Sequence, residues 1–221
     1  MVWLIPIGVG VAAGSAYAWW QLRRRDYRIA VLGARESGKT TLINSWRGKW
    51  ADGAYQPTQA SELIEKQKYT AEGFRLRFLD LEDMSGDLDG WPNWENRAKE
   101  SRYVLYLVDA RALAGQFARN YRKNWRRLED DAGLIADWME QGKAELCLMV
   151  VTHTDQDPRL RKLGQNAYQE AIVSQLDPLM LKIGGPRTVH IVVGSLKTLP
   201  AAQKLTSLIM ERIISYEKGK K

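Results

Sequence analysis

From residue 28 onward, short apolar runs alternate with longer stretches in which apolar positions recur every three or four residues. The first kind of pattern predicts strands and the second amphipathic helices. Residues 28–32 read as a strand, 33–40 as a glycine-bearing loop and 40–49 as a helix. Residues 62–70 and 74–81 read as two strands around the turn Ala71-Glu72-Gly73. The run Tyr-Val-Leu-Tyr-Leu-Val-Asp at 103–109 and the run at 145–152 are almost wholly apolar, as strands covered on both faces are. Helices are predicted at 116–141, 166–182 and 199–217, and a further strand at 188–193. Such alternation predicts one α/β domain with a roughly six-stranded, mostly parallel sheet, helices on both faces and one antiparallel edge hairpin.

Residues 1–20 differ from all of this: they contain no charged side chain. At about 1.5 Å per residue such a helix spans about 30 Å, the thickness of a hydrocarbon core. Trp3 lies near one end and Tyr17, Trp19 and Trp20 near the other, where interfacial aromatics belong. Arg23, Arg24 and Arg25 follow, which by the positive-inside rule keeps the rest of the chain cytoplasmic. A cleaved signal peptide would want its positive charge ahead of the apolar run. The expected organisation is a single-pass membrane anchor at 1–22, a basic linker at 23–26 in contact with lipid, a folded domain at 27–217 and a basic tail at 218–221. Gly10 and Gly14 form a G-x-x-x-G spacing, with Ala18 on the same face, that allows a helix-mediated dimer.

Charge adds little to this picture. The formal net charge is +7, but three arginines at 23–25 and Lys218, Lys220 and Lys221 supply most of it. Arg119, Arg122, Lys123, Arg126 and Arg127 are spaced to share a helix face, which reads as a solvated face or as a surface for headgroups or an acidic partner, and no nucleic-acid partner is expected. The single cysteine, Cys147, excludes an intrachain disulfide and lies in an apolar run, where it reads as a small buried hydrophobe. No grouping of His and Cys suggests zinc, and His190 reads as structural.

Candidate chemistry begins with Gly33-Ala34-Arg35-Glu36-Ser37-Gly38-Lys39-Thr40, which fits G-x-x-x-x-G-K-[ST] between a predicted strand and a predicted helix. Glycines let backbone N–H groups wrap phosphate oxygens, and the helix N-terminus adds partial positive charge. Lys39 would reach the β- and γ-phosphates and the Thr40 hydroxyl would ligate Mg²⁺, with Thr41 beside it. A second signal, Thr152-His153-Thr154-Asp155, directly follows a strand. A carboxylate there can accept both N1–H and the 2-amino group of guanine, a donor pair that adenine lacks. Gly194-Ser195-Leu196-Lys197 follows the next strand, where backbone N–H groups at Ser195 and Leu196 could bind guanine O6.

In order and spacing these motifs resemble the Ras-like GTPases of the translation-factor class, over residues 27–217. Glu36-Ser37-Gly38-Lys39 is similar to the phosphate loop of heterotrimeric G-protein alpha subunits. Thr152 to Asp155 resembles the N/T-K-x-D element and Ser195 to Lys197 the S-A-K element. The resemblance implies GTP and GDP as ligands with Mg²⁺. It places Thr58 as the metal-binding threonine of a first switch and Asp80 as the aspartate that holds Mg²⁺ through water. A membrane helix joined to such a domain is also similar in architecture to the beta subunit of the signal-recognition-particle receptor.

The sequence departs from that family in places. Asp83 stands where D-x-x-G has glycine, with Gly86 as a substitute if the loop is longer, and Met84 stands where a glutamine would orient water. Glu82 or Asp83 could orient it instead. Arg35 could serve as an arginine finger in cis, or face solvent, or pair with Glu36. His153 replaces the lysine that lies along the base; imidazole could stack there but holds no charge at neutral pH unless shifted. Trp91 and Trp94 follow the second switch and read as an exposed effector surface or as helix packing; Trp46, Trp50, Trp125 and Trp138 read as packing residues. Three functions remain in play: a membrane-anchored switch that binds and slowly hydrolyses GTP to recruit a partner, a non-hydrolysing GTP-binding scaffold in a membrane complex, and an ATP-using P-loop enzyme, which Asp155 argues against.

Overall fold

A computed structural model of the chain describes residues 27–46, 68–71, 74–78, 91–114 and 120–219. Strands β1 (Tyr27–Gly33), β2 (Lys68–Ala71), β3 (Phe74–Phe78), β4 (Tyr103–Asp109), β5 (Leu146–Thr152) and β6 (Val189–Val193) form one sheet in the order β2-β3-β1-β4-β5-β6. Only β2 runs antiparallel, paired with β3. The helices are α1 (Lys39–Trp46), α2 (Trp91–Glu100), α3 (Ala110–Leu113), α4 (Tyr121–Gln141), α5 (Pro158–Leu163), α6 (Gln165–Ile183) and α7 (Leu199–Gly219). Among the described residues no helix is long and apolar enough to cross a membrane. The predicted anchor at 1–22, the linker at 23–26, and Gly10 and Gly14 lie outside the described residues.

Strand alternation sorts the core into two layers. Ile29, Val31, Leu105, Leu107, Leu148 and Val150 face one side, where α1 contributes Leu42 and Ile43 and α7 contributes Leu205, Ile209 and Ile213. Ala30, Leu32, Val104, Tyr106, Cys147 and Met149 face the other, against Trp94, Leu128, Ile135, Ile172 and Leu176 of α2, α4 and α6. Both faces of β4 and β5 are covered, which explains their unbroken apolar sequences. Burial pushes the Cys147 thiol up to about 12, so it packs as a hydrophobe. His190 sets its ring edge-on to Tyr216 at 6.5 Å between centroids, a packing contact.

Two local expectations need correction. Trp94 is 0% exposed and belongs to the core beneath α2, so it cannot form an effector surface. Its partner one turn later, Ala98, is buried with it, and α2 turns that stripe inward. The helix predicted from 116 begins at Tyr121, after Asn120 in the left-handed region at φ 65°, and short α3 precedes it. Of the two predicted hairpin strands the structure describes Lys68–Ala71 and Phe74–Phe78; residues 62–67 and 79–81 lie outside the described residues.

Candidate functional site

In a sheet of parallel strands the C-terminal ends carry the ligand-binding loops. Here the loops after β1, β4, β5 and β6 meet at that end. The loop from Gly33 to Gly38 passes directly into α1. Gly33 at φ 147° and Gly38 at φ 92° hold conformations that side chains resist, and space forbids them too. A Cβ on Gly33 would lie 2.7 Å from the Leu107 carbonyl oxygen, and one on Gly38 would lie 2.8 Å from Leu196 Cδ1. Glu36, a non-glycine, also takes positive φ, at 62°. Lys39 is only 6% exposed. Its ammonium donates to the carbonyls of Gly33 and Ala34, each at 2.8 Å, which sets the charge within the curve of the loop. Arg35, Glu36 and Thr40 are exposed and Thr41 is half-buried.

The loop after β5 is tied to this phosphate-type loop. Thr152 Oγ1 donates to the carbonyl of Ser37 at 2.8 Å. His153 takes a left-handed conformation at φ 55°, and a 3₁₀ turn over Thr154–Gln156 presents Asp155. The Ser195 hydroxyl donates to Asp155 Oδ1, while the Lys197 N–H donates to the Ser195 oxygen at 3.1 Å. Asp155 Oδ2 is buried with no hydrogen-bond partner among the described residues, and the Lys197 ammonium stands 3.9 Å away. Buried acceptors are rarely left unmet, so this oxygen fits a donor supplied by a ligand. Leu196 packs onto Gly38 and joins the third motif to the first.

The structure therefore brings Gly33, Ser37, Gly38, Lys39, Thr152, His153, Asp155, Ser195 and Leu196 to one place. Thr58, Asp80, Glu82 and Asp83 lie outside the described residues. Of the expected Mg²⁺ ligands only Thr40 is described, in the first turn of α1, and no group of three or more His, Cys, Asp or Glu able to hold a metal occurs among the described residues.

Two clusters at this end escaped the sequence reading. Asp109 ends β4, caps α3 by accepting the Arg111 N–H at 2.8 Å, and grips the Arg111 Nε through both oxygens. Its signal was its place: the one charge in the run 103–109, directly before a helix. Asp157, 1% exposed, caps α5 and accepts from Arg159 Nη2 at 2.7 Å and the Tyr168 hydroxyl at 3.0 Å. Arg159 continues to Gln175, which donates to the Leu113 carbonyl. The Asp155 turn is thus fixed at both ends, by Thr152 and by Asp157.

Burial alone would raise the Asp157 carboxyl; hydrogen bonds from Arg159 and Tyr168 outweigh it and hold the pKa below the ordinary carboxylate value. A folded-state pKa below the unfolded one contributes stability that is present at neutral pH and lost as pH falls through the folded value. Asp157→Asn keeps an acceptor for the α5 cap but loses the charge. Melting both proteins from about pH 7 down to about pH 3 should show the variant less stable by about 1–3 kcal/mol at neutral pH, with the two curves converging in acid. Parallel curves would remove Asp157 from the acid response.

No protein-family model matches the chain. ADP-ribosylation factor-like protein 6 of Danio rerio is 28% identical over 94 residues, 42% of this chain and 47% of that protein. Among solved structures, Methanosarcina barkeri Roco2 RocCORdC bound to GDP matches with a TM-score of 0.50 at 16% identity, over 86% of this chain and 49% of that one. In both cases the chain spans about half the length of the protein it matches. Sheet order, phosphate-type loop and these likenesses agree on the fold: an α/β domain with a mostly parallel sheet and a phosphate-type loop, similar in fold to the GDP-bound Roco2 protein.

Proposed function

We propose that this protein is a guanine-nucleotide switch held at a membrane. GTP or GDP would lie across the loops after β1, β5 and β6, with its phosphates on the Gly33–Thr41 segment and its base on Asp155, Ser195 and Leu196. The observation that carries this reading is Asp155 itself: one oxygen is fixed by Ser195, and the other is a buried acceptor with no hydrogen-bond partner among the described residues. That is the form of a site for the N1–H and 2-amino donors of guanine. The Danio rerio relative and the GDP-bound Roco2 structure support the same reading at the level of fold. Mg²⁺ would be held by Thr40, with Thr58 and Asp80 supplied by the two switches, and would neutralise charge between the β- and γ-phosphates.

Anchoring rests on the charge-free residues 1–20 and the arginines at 23–25, which put the domain on the cytoplasmic side, an architecture similar to the signal-recognition-particle receptor beta subunit. With Trp94 in the core, Trp91 is the one of the two tryptophans that remains a candidate for the partner contact proposed after the second switch. Asp83 and Met84, in place of glycine and glutamine, favour slow hydrolysis and give specific support to a second reading: a GTP-binding scaffold that does not turn over.

Titrating labelled GTP, GDP and ATP with Mg²⁺ into the full chain in detergent, then following phosphate release, separates these readings. Guanine-selective binding with steady release is the expected result. Guanine-selective binding without release selects the scaffold. Equal binding of ATP would overturn base recognition by Asp155.

A further inference from the structure

Asp109 and Thr152 are register partners at the ends of β4 and β5, so Ala110 and His153 leave the sheet side by side. Asp109 Oδ1 lies 3.7 Å from His153 Nδ1, too far for a hydrogen bond but close for a charge. The same nitrogen is 3.1 Å from Thr152 Oγ1. A hydroxyl has one hydrogen. Three groups surround this one: the Ser37 carbonyl at 2.8 Å, the Val108 carbonyl at 3.4 Å and the His153 ring. Carbonyls can only accept, and the shortest contact takes the hydrogen. Thr152 therefore meets the ring with a lone pair, which only an N–H can satisfy. His153 Cε1, the ring carbon bonded to Nδ1, stands 3.8 Å from where a Cβ on Gly38 would be, against the phosphate-type loop.

We propose that Asp109 is a positioning residue which, with Thr152, fixes His153 as its Nδ1–H tautomer and sets the ring against Gly38 to stack on a purine base. This rests on the guanine-nucleotide reading of the site. Four charged groups act on the ring: Asp109 from β4, Arg111 from α3, Asp155 from the 3₁₀ turn and Glu36 from the loop after β1. Burial, aided by Arg111, outweighs the three carboxylates and keeps the ring less basic than usual, hence neutral at pH 7. A neutral ring in one tautomer offers a face and no charge. Its contribution to base binding then depends on orientation, which Asp109 and Thr152 supply.

The test uses the full chain with ¹⁵N-labelled histidine. The chain has two histidines, so His190→Gln leaves His153 as the sole signal. At neutral pH the expected ¹⁵N shifts are those of a protonated Nδ1 and a bare Nε2. Asp109→Ser keeps a cap for α3 but withdraws the carboxylate. It should shift the ring toward the Nε2–H form and weaken fluorescent GDP by about fivefold, while binding of inorganic triphosphate stays at the wild-type level. Asp109→Asn, which keeps an oxygen near Nδ1 without the charge, should fall between. An Nε2–H ring in a wild-type protein that binds GDP overturns this inference alone, and so does an Asp109→Ser variant with unchanged tautomer and affinity. A wild type that fails to bind GDP overturns the nucleotide reading, and the stacking role with it.

Discussion

Replacing Lys39 by methionine is expected to weaken GTP and GDP by about two to four orders of magnitude and to leave the chain folded. The argument starts from position. Lys39 opens α1 directly behind the tightest part of the loop, and the carbonyls of Gly33 and Ala34 hold its ammonium at 2.8 Å each. Those two bonds fix where the charge sits and leave the charge in place. Two charge-assisted bonds to phosphate oxygens, at about 1.5–3 kcal/mol each, give the stated range. Methionine matches the length of the stem and lacks the charge. The two carbonyls lose a donor, which costs some stability, but Leu42 and Ile43 keep α1 docked on the sheet. Calorimetric titration gives the affinity, and a melting curve on the same sample shows that the domain is intact. An affinity within about threefold of wild type would mean that phosphates do not bind this loop.

The two outcomes on Trp94 and on the loop after β5 show what sequence could and could not reveal. The buried strands were legible because parallel strands covered on both faces need apolar residues at every position, as in β4 and β5. The phosphate-type loop was legible because its chemistry lies within eight consecutive residues. Asp155 was legible for the same reason, being part of a short element after a strand. Trp94 misled because its neighbours Asn93 and Glu95 are polar; the inward stripe of Trp94 and Ala98 at i, i+4 was there to be counted. Helix α5 could also have been found, since Asp157-Pro158 is a capping residue followed by proline at the first helical position. By contrast, the meeting of Asp109 with His153 depends on the register of β4 with β5, across a long stretch of chain, and no local pattern encodes it. The Arg159–Gln175–Leu113 chain of bonds behind the Asp155 turn is of the same kind.

Base choice gives the second large effect. Asp155→Asn should lower the preference for GTP over xanthosine triphosphate by about four orders of magnitude. The direction follows from which oxygen is already engaged. Ser195 receives the Lys197 N–H and passes its own hydrogen to Asp155 Oδ1. An asparagine placed there keeps this bond by turning its carbonyl oxygen toward Ser195, since only an oxygen can accept that hydrogen. Its amide nitrogen then occupies the place of Oδ2, the buried acceptor that lacks a hydrogen-bond partner among the described residues. A donor at that point faces the donors of guanine unfavourably and matches the carbonyl that xanthine carries at the same ring position. Lys197 does not blunt the effect: its ammonium is 3.9 Å from Oδ2 on a side chain that is 70% exposed, free to swing into water. Ser195→Ala separates the two parts of the argument. Without the hydroxyl the Asp155 carboxylate loses its orientation but not its acceptors, so GTP should weaken by about fivefold with no gain for xanthosine triphosphate. Competition binding of the two nucleotides to wild type and both variants measures all of this. Undiminished GTP selectivity in Asp155→Asn would place the base elsewhere and leave only the phosphate-type loop to define the site.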